Sequence, residues 1–343
     1  MRRWRPGARV ADRPFQWGIL SAANIARRRF VPGVRNGSEG QAAAVAARDG
    51  DRARAFADEL GIPRAYGSNE ELLADPAIDG VHIGLPNSLH AEWTIRAAQA
   101  GKHVLCEKPL TRRASEAERM ASACELAGVI LMEAFMWRHH PQHARVRELL
   151  AAGEIGESSL VRATFSFAMG AERRAGPDVR VQPALNGGSF MDVGCYALNA
   201  ARFLFDAEPV EVSAMQRTDP SLGVDTSFAA LARFPGDRLA VIDGSFDGSG
   251  PQRYEITGFR GTITVDPCFQ PGPGPTRIRV DRAGERQTVE APGVDQYAVE
   301  ADHFVRSARA GRLLPPAEDG RAQARVVEAL YRSAETGQAV RLS

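Results

Sequence analysis

The chain has 343 residues, 44% of them hydrophobic and 25% charged, enough for about two domains at roughly 150 residues each and for a core that needs no disulfide or metal. Its 43 Lys and Arg against 42 Asp and Glu leave a net charge of +1, which argues against a dedicated nucleic-acid binder. Its apolar runs are too short to span a bilayer, which argues against a membrane protein.

Residues 1–14 hold five Arg and one Asp. They lack the apolar segment of a secretory signal and read as a basic, disordered tail. Phe15–Leu20 reads as the first strand, with a helix from about Asn24. Gln41–Ala47 reads as a strand, Asp51–Leu60 as a helix, Asp79–Leu85 as a strand rich in Val, Ile and Leu, and Ser88–Ala100 as a helix stopped by Gly101. Strand Lys102–Cys106, helix Thr111–Ala127 and strand Val129–Glu133 complete an alternation that predicts a parallel α/β sheet. A helix over Pro141–Ala152 follows. The texture then changes to β alternation at Leu160–Phe167, Val210–Gln216, Phe228–Phe234, Leu239–Phe246, Arg253–Phe259, Thr262–Asp266 and Arg277–Val280. Helices return at Tyr297–Ala310 and Arg321–Thr336. The expected organisation is a tail over 1–14, a dinucleotide-binding domain over 15–137 and a sheet domain over 138–343, whose last helices could pack back on the first domain.

A dinucleotide site needs small residues at a strand-to-helix turn, where backbone N–H groups approach the pyrophosphate. After Gly18-Ile19-Leu20, the residues Ser21, Ala23 and Ala26 stand at the three places where glycine is usual. The turn Ser21-Ala22-Ala23-Asn24-Ile25 is therefore the candidate cradle. About 20 residues on, where the ribose is read, the second strand runs into Arg48-Asp49. An acid at that strand end suits NAD and an arginine suits the 2′-phosphate of NADP. With Arg48 leading, NADP(H) is favoured.

Strand Lys102–Cys106 ends in Glu107-Lys108-Pro109. Ligands of open α/β sheets bind at the carboxyl ends of the strands, so Lys108 would point its ammonium toward the cofactor cleft. There it could polarise a carbonyl.

These pieces, with Leu85-Pro86-Asn87-Ser88-Leu89-His90, Glu133-Ala134-Phe135-Met136-Trp137-Arg138-His139-His140-Pro141, Gly187-Gly188-Ser189-Phe190-Met191-Asp192-Val193-Gly194-Cys195-Tyr196 and Gly223-Val224-Asp225-Thr226, give a chain that resembles the glucose–fructose oxidoreductase and inositol dehydrogenase family (Gfo/Idh/MocA). The resemblance runs from about residue 15 to 340. It is greatest to the branch of dimeric dihydrodiol dehydrogenases and NADP-dependent xylose dehydrogenases. It implies a Rossmann domain followed by an open-faced, mostly antiparallel sheet domain. It also implies that Lys108 and Tyr196 act over the nicotinamide, that Pro86, Asn87, His90 and Glu107 belong to the cofactor side, and that Arg138 and His139 face substrate. Tyr196 stands where the inositol branch has His, which favours the aldose and dihydrodiol branch.

Asp192 and Tyr196 lie four residues apart and share one face if the segment is helical. A neighbouring ammonium would favour the phenolate, so Tyr196 reads as general acid/base and Asp192 as the holder of a substrate hydroxyl. Alternatively, Tyr196 is a core tyrosine and Asp192 a structural acid. His139, His140 and His143 lack a placed acidic or thiol partner and are not read as a metal site. His82 and His103, inside apolar strands, read as core or edge residues; Arg202 is undecided, and loop Ala171–Gln182 is a candidate for specificity. Cys106, Cys124, Cys195 and Cys268 have no paired spacing and read as free thiols of a cytoplasmic protein.

The expected function is an NADP-dependent dehydrogenase acting on a polyhydroxylated small molecule, an aldose or a trans-dihydrodiol. Reduction of a keto- or anhydro-sugar and a non-catalytic NADP(H) sensor are the alternatives. An open sheet face needs cover, which predicts a homodimer or homotetramer through the second domain.

Overall fold

The structure, a computed structural model, describes residues 13 to 342. The predicted tail falls outside them but for Arg13 and Pro14. In chain order the elements begin with β1 (Phe15–Leu20), α1 (Val31–Asn36), β2 (Gly40–Ala46), α2 (Gly50–Glu59), β3 (Arg64–Tyr66), α3 (Asn69–Ala74) and β4 (Gly80–Ile83). They continue with α4 (His90–Gln99), β5 (His103–Glu107), α5 (Ala114–Ala127) and β6 (Leu131–Ala134). Then come α6 (Pro141–Ala151), β7 (Ser158–Ser166), α7 (Ala171–Ala175), α8 (Cys195–Phe205), β8 (Glu211–Asp219), β9 (Val224–Arg233) and β10 (Leu239–Ser245). The hairpins β11 (Gln252–Gly258) with β12 (Gly261–Val265) and β13 (Thr276–Arg282) with β14 (Glu285–Ala291) precede α9 (Gln296–Ala310), α10 (Arg321–Thr336) and β15 (Val340–Arg341).

The chain divides into two compact units. The first runs to Thr111, resumes at Ser115–His139 and takes in Asp295–Arg321; the second is Arg112–Ala114, His140–Val294 and everything from Ala322. Helix α9 thus belongs to the first unit and α10 to the second.

In the first unit, six strands lie in the order β3-β2-β1-β4-β5-β6, every pair parallel. This is the doubly wound arrangement, with its crevice at the carboxyl ends where the order reverses between β1 and β4. Five of the six β1 residues are buried, as a strand covered on both faces requires. Phe15 and Trp17 of β1 meet Phe304 of α9, with ring centroids 6.0 and 4.9 Å apart. Gly18 lets the strand pack closely: a Cβ there would press on Leu72, Ile78 and Val81 at 2.5, 3.1 and 3.3 Å.

In the second unit, nine strands lie in the order β14-β13-β12-β11-β7-β10-β9-β8-β15. Only the β7–β10 pair is parallel. One face packs on α8, every residue of which is buried. The opposite face shows Met215, Leu231, Leu239 and Val241, from 38% to 81% exposed.

The sequence reading omits five short or polar elements, among them the five-residue α7. Strands β3 and β15 have three and two residues, and α3 has six, too few for a period to register. Strand β14 is almost wholly exposed and polar, as suits a sheet edge.

Candidate active site

In the first unit, β1 delivers the chain to Ser21, whose φ is +104°. This is backbone that favours glycine, and it is held by an N–H bond from Ser21 to the Ala46 carbonyl at 3.1 Å. Helix begins at Asn24, passes through a π turn over Ala26–Phe30 and continues as α1. The Ala23 carbonyl accepts from Arg27 N–H at 3.0 Å. The amides of Ala23, Asn24 and Ile25 therefore precede the first intrahelical bond and suit an anionic oxygen.

Arg48, just after β2, is exposed and makes no hydrogen bond or ion pair with other described residues. Asp49 is occupied: it caps α2 by accepting from Asp51 N–H at 2.8 Å. Of the adjacent pair, the acid is thus engaged in the fold and the guanidinium is not. Arg52 donates to the Ala22 carbonyl at 3.2 Å and braces the turn.

The Glu107-Lys108-Pro109 turn follows β5, with a cis Lys108–Pro109 peptide. It is clamped from two sides. The Nδ1 of His90 lies 3.1 Å from the carbonyls of both Pro109 and Leu110, and Nε2 lies 2.9 Å from the Leu85 carbonyl. Glu133 accepts from Leu110 N–H at 2.7 Å. His90 is fully buried, and burial lowers its pKa although the three carbonyls pull the other way. Its ring stands between the loop carrying Pro86 and Asn87 and the loop carrying Lys108, and as a neutral imidazole it donates to one of them. Glu107 faces His82 at 3.2 Å, and His82 in turn stacks on Phe30 at 3.9 Å. Glu300 on α9 is also buried; burial and then the Glu107 charge push its carboxyl well above the ordinary range.

Arg138 and His139 are placed differently from the expectation that they face substrate. Arg138 donates to the Pro316 carbonyl and pairs with Glu318, both at 2.8 Å. His139 packs against His303 at 4.6 Å, and burial with neighbouring cations lowers its pKa well below the usual value. Both side chains are engaged inside the first unit, holding segment 315–318 and α9.

In the second unit, Asp192 and Tyr196 lie on one continuous helix, made of a π turn over Phe190–Gly194 and α8. π turns concentrate at functional sites; the two here fall in the two motif helices. Tyr196 packs between Phe165 and Phe269, 5.3 Å from each ring. Asp192 accepts from Arg180 Nε at 2.7 Å. The helix start is held by Asp225, which accepts from Ser189 hydroxyl at 2.8 Å, Phe190 N–H at 2.7 Å and Tyr331 hydroxyl at 3.1 Å. Gly188 has φ +123° and would set a Cβ 2.2 Å from Asp225. Gly244 of β10 must be bare because a Cβ there would lie 2.9 Å from the Gly194 backbone, and a Cβ on Gly194 would meet the Phe190 ring at 2.6 Å. Arg202 is structural: it forks onto Glu208 at 2.7 Å and bonds Gln323 at 2.7 Å.

Sequence reasoning missed Arg180, Asp225, Glu133 and Glu300 as parts of these arrangements. Asp225 and Glu133 stood inside quoted motifs and Arg180 inside the loop 171–182 singled out for specificity; Glu300 gave no local signal. Among the described residues, no cluster of His, Cys, Asp or Glu could hold a metal ion, and no helix is long and apolar enough to cross a membrane.

Residues 15–135 match the model of an oxidoreductase family with an NAD-binding Rossmann fold, and residues 143–264 match the C-terminal domain of the same GFO/IDH/MocA family. The chain belongs to the GFO/IDH/MocA family. As a member it is 42% identical to D-xylose 1-dehydrogenase (NADP(+)) 2 of Haloferax volcanii, over 95% of this chain and 99% of that protein. It is 33% identical to trans-1,2-dihydrobenzene-1,2-diol dehydrogenase of Xenopus tropicalis, over 73% and 74% of the two chains. The crystal structure of a 3-ketoreductase from Actinomadura kijaniata with NADP and TDP-benzene superposes with a TM-score of 0.88. It shares 31% identity and covers 94% of this chain and 98% of its own.

Proposed function

We propose that this GFO/IDH/MocA member is an NADP-dependent oxidoreductase that moves a hydride to or from a CH–OH carbon of a sugar or diol, with an aldose at its anomeric carbon as first candidate. The observation that carries this is the Lys108 turn, fixed at the carboxyl edge of the parallel sheet by His90 and Glu133. Such an investment of buried groups in one lysine-bearing turn suits chemistry at that edge. The similarity to dehydrogenases of xylose and of a dihydrodiol supports the substrate class.

The cofactor half fits NADP(H). Arg48 is uncommitted and exposed, Asp49 is used as a cap, and the amides of Ala23, Asn24 and Ile25 open the helix. When bound, the nicotinamide supplies the hydride acceptor or donor. Lys108 supplies positive charge for the substrate oxygen. Tyr196 takes the hydroxyl proton in oxidation and returns it in reduction. Asp192 accepts from a second substrate hydroxyl. Reduction of a keto-sugar uses the same groups in reverse.

We further infer a homodimer or homotetramer that covers the open sheet face with a second copy. Leu231 lies opposite Val241, and Met215 opposite Ala229, so neighbouring strands carry exposed apolar side chains on this face, of the kind that marks association. The four buried free thiols fit a reducing compartment, and we place the protein in the cytoplasm.

The test is NADPH formation, followed by absorbance, when NADP⁺ meets D-xylose, D-glucose, myo-inositol and a trans-dihydrodiol, with NAD⁺ and Lys108→Met as controls. Turnover that needs NADP⁺ and Lys108 is expected. Turnover unchanged in Lys108→Met would overturn the assignment.

A further inference from the structure

Between β7 and the Asp192 helix, residues 170–188 form a segment with little regular structure, only α7 and two 3-10 turns at Val179–Val181 and Pro183–Leu185. Its order comes from charge. Asp178 accepts from Arg173 Nε and Nη2 at 2.9 and 2.7 Å, and from Arg180 N–H at 3.0 Å. Arg180 lies 3.3 Å from Asp178 through Nη1 and reaches Asp192 through Nε at 2.7 Å. The result is an alternating chain, Arg173–Asp178–Arg180–Asp192, that begins in the segment and ends on the motif helix.

The backbone repeats the same connection. The Arg180 carbonyl accepts from Gly188 N–H at 2.8 Å, and a Cβ on Gly187 would sit 2.5 Å from that oxygen. The Gly187–Gly188 pair is thus the place where the Arg180 main chain lies directly on the start of the helix. Arg180 meets the helix twice, once by backbone and once by side chain.

We propose that Arg180 is a positioning residue for substrate: its guanidinium sets the Asp192 carboxylate in the orientation from which Asp192 accepts a sugar or diol hydroxyl. The proposal rests on the reading of Asp192 as substrate-holding. It makes segment 170–188 a determinant of specificity through Arg180, without any contact of its own with the reacting carbon. A planar fork held by two carboxylates fixes direction in a way a single point charge does not.

The experiment compares wild type with R180M, R180Q, R180K, D192N and R180M/D192N by steady-state kinetics on whichever panel sugar or diol is turned over. NADPH binding, by fluorescence, checks folding. R180M is expected to raise the substrate KM about tenfold, to leave the NADP⁺ KM within about twofold and to change kcat far less. R180K, a point charge at the same place, should recover part of the loss, and R180M/D192N should be no worse than D192N alone. If R180M does not bind NADPH, R180Q takes its place. A substrate KM equal to wild type in R180M or R180Q, or losses that multiply in the double variant, overturns the proposal while leaving the oxidoreductase reading intact. A wild type silent on the whole panel overturns both.

Discussion

Arg48→Ala tests the cofactor half most directly, because the structure isolates what the change removes. Arg48 is exposed and has no partner among the described residues, so its loss leaves no protein group unsatisfied and stability should hold within about 0.5 kcal/mol. What is lost is the charge-assisted bonding to a 2′-phosphate, about 1.5–3 kcal/mol for hydrogen bonds to a charged group. At 1.4 kcal/mol per factor of ten, that is roughly a 10- to 100-fold rise in the NADP⁺ Kd. Arg52 offers limited compensation, since it donates to the Ala22 carbonyl. NAD⁺ carries no 2′-phosphate and should bind Arg48→Ala as it binds wild type. The assay is a pair of titrations, NADPH and NADH, by fluorescence on both proteins, with a thermal melt as control. Equal weakening of both cofactors would show that Arg48 acts through the fold of the turn, and no weakening of either would remove it from the site.

Other substitutions probe the scaffold and the chemistry. Tyr196→Phe should cut kcat by about 100-fold or more if the hydroxyl transfers a proton, with NADPH binding unchanged; a kcat near wild type would assign Tyr196 to the core. Ser21→Gly removes a side chain from backbone at φ +104° and should raise thermal stability by about 1 kcal/mol; a fall in the melting temperature would count against strain at that turn. Asp225→Ala strips three buried donors of their acceptor and should cost about 3 kcal/mol or more, read as a lower melting midpoint. Stability should also fall with acidification. Burial pushes His103 down to about 4, below its unfolded value of about 6.5. The unfolded chain therefore binds the proton first, and stability declines as pH drops from about 6.5 toward the folded pKa, by roughly 3 kcal/mol from this residue. His103→Gln should flatten that part of a melting-temperature profile.

The fold was legible where local pattern and tertiary need coincide. The buried strands of the first sheet announce themselves as apolar runs, and β7 through β13 by alternation. The Arg48-Asp49 pair was legible, with Arg48 favoured by its leading position, but the engagement of Asp49 was not, because a helix cap there is visible only once α2 is placed. The substrate role expected of Arg138 and His139 rested on family likeness, and the structure directs both side chains to residues 303–318, far away in sequence. Asp225 and Arg180 illustrate the same limit. Each acts on the Asp192 helix from 12 or more positions away, and no period or spacing connects such residues before the chain folds.

The aromatic contacts between β1 and α9 bear on how the chain comes off the ribosome. Phe15 and Trp17 are made nearly 300 residues before Phe304, against which they pack, and β7 through β14 of the second sheet come between. N-terminal domains commonly fold first during synthesis, but here the nascent cofactor domain must wait for nearly 300 residues with part of its aromatic core open to water. A nascent chain in that interval presents a greasy surface to its surroundings, which makes it a natural client for a chaperone. For the same reason, a gene fragment ending at the first domain boundary would yield an aggregating product, however well its six strands pair.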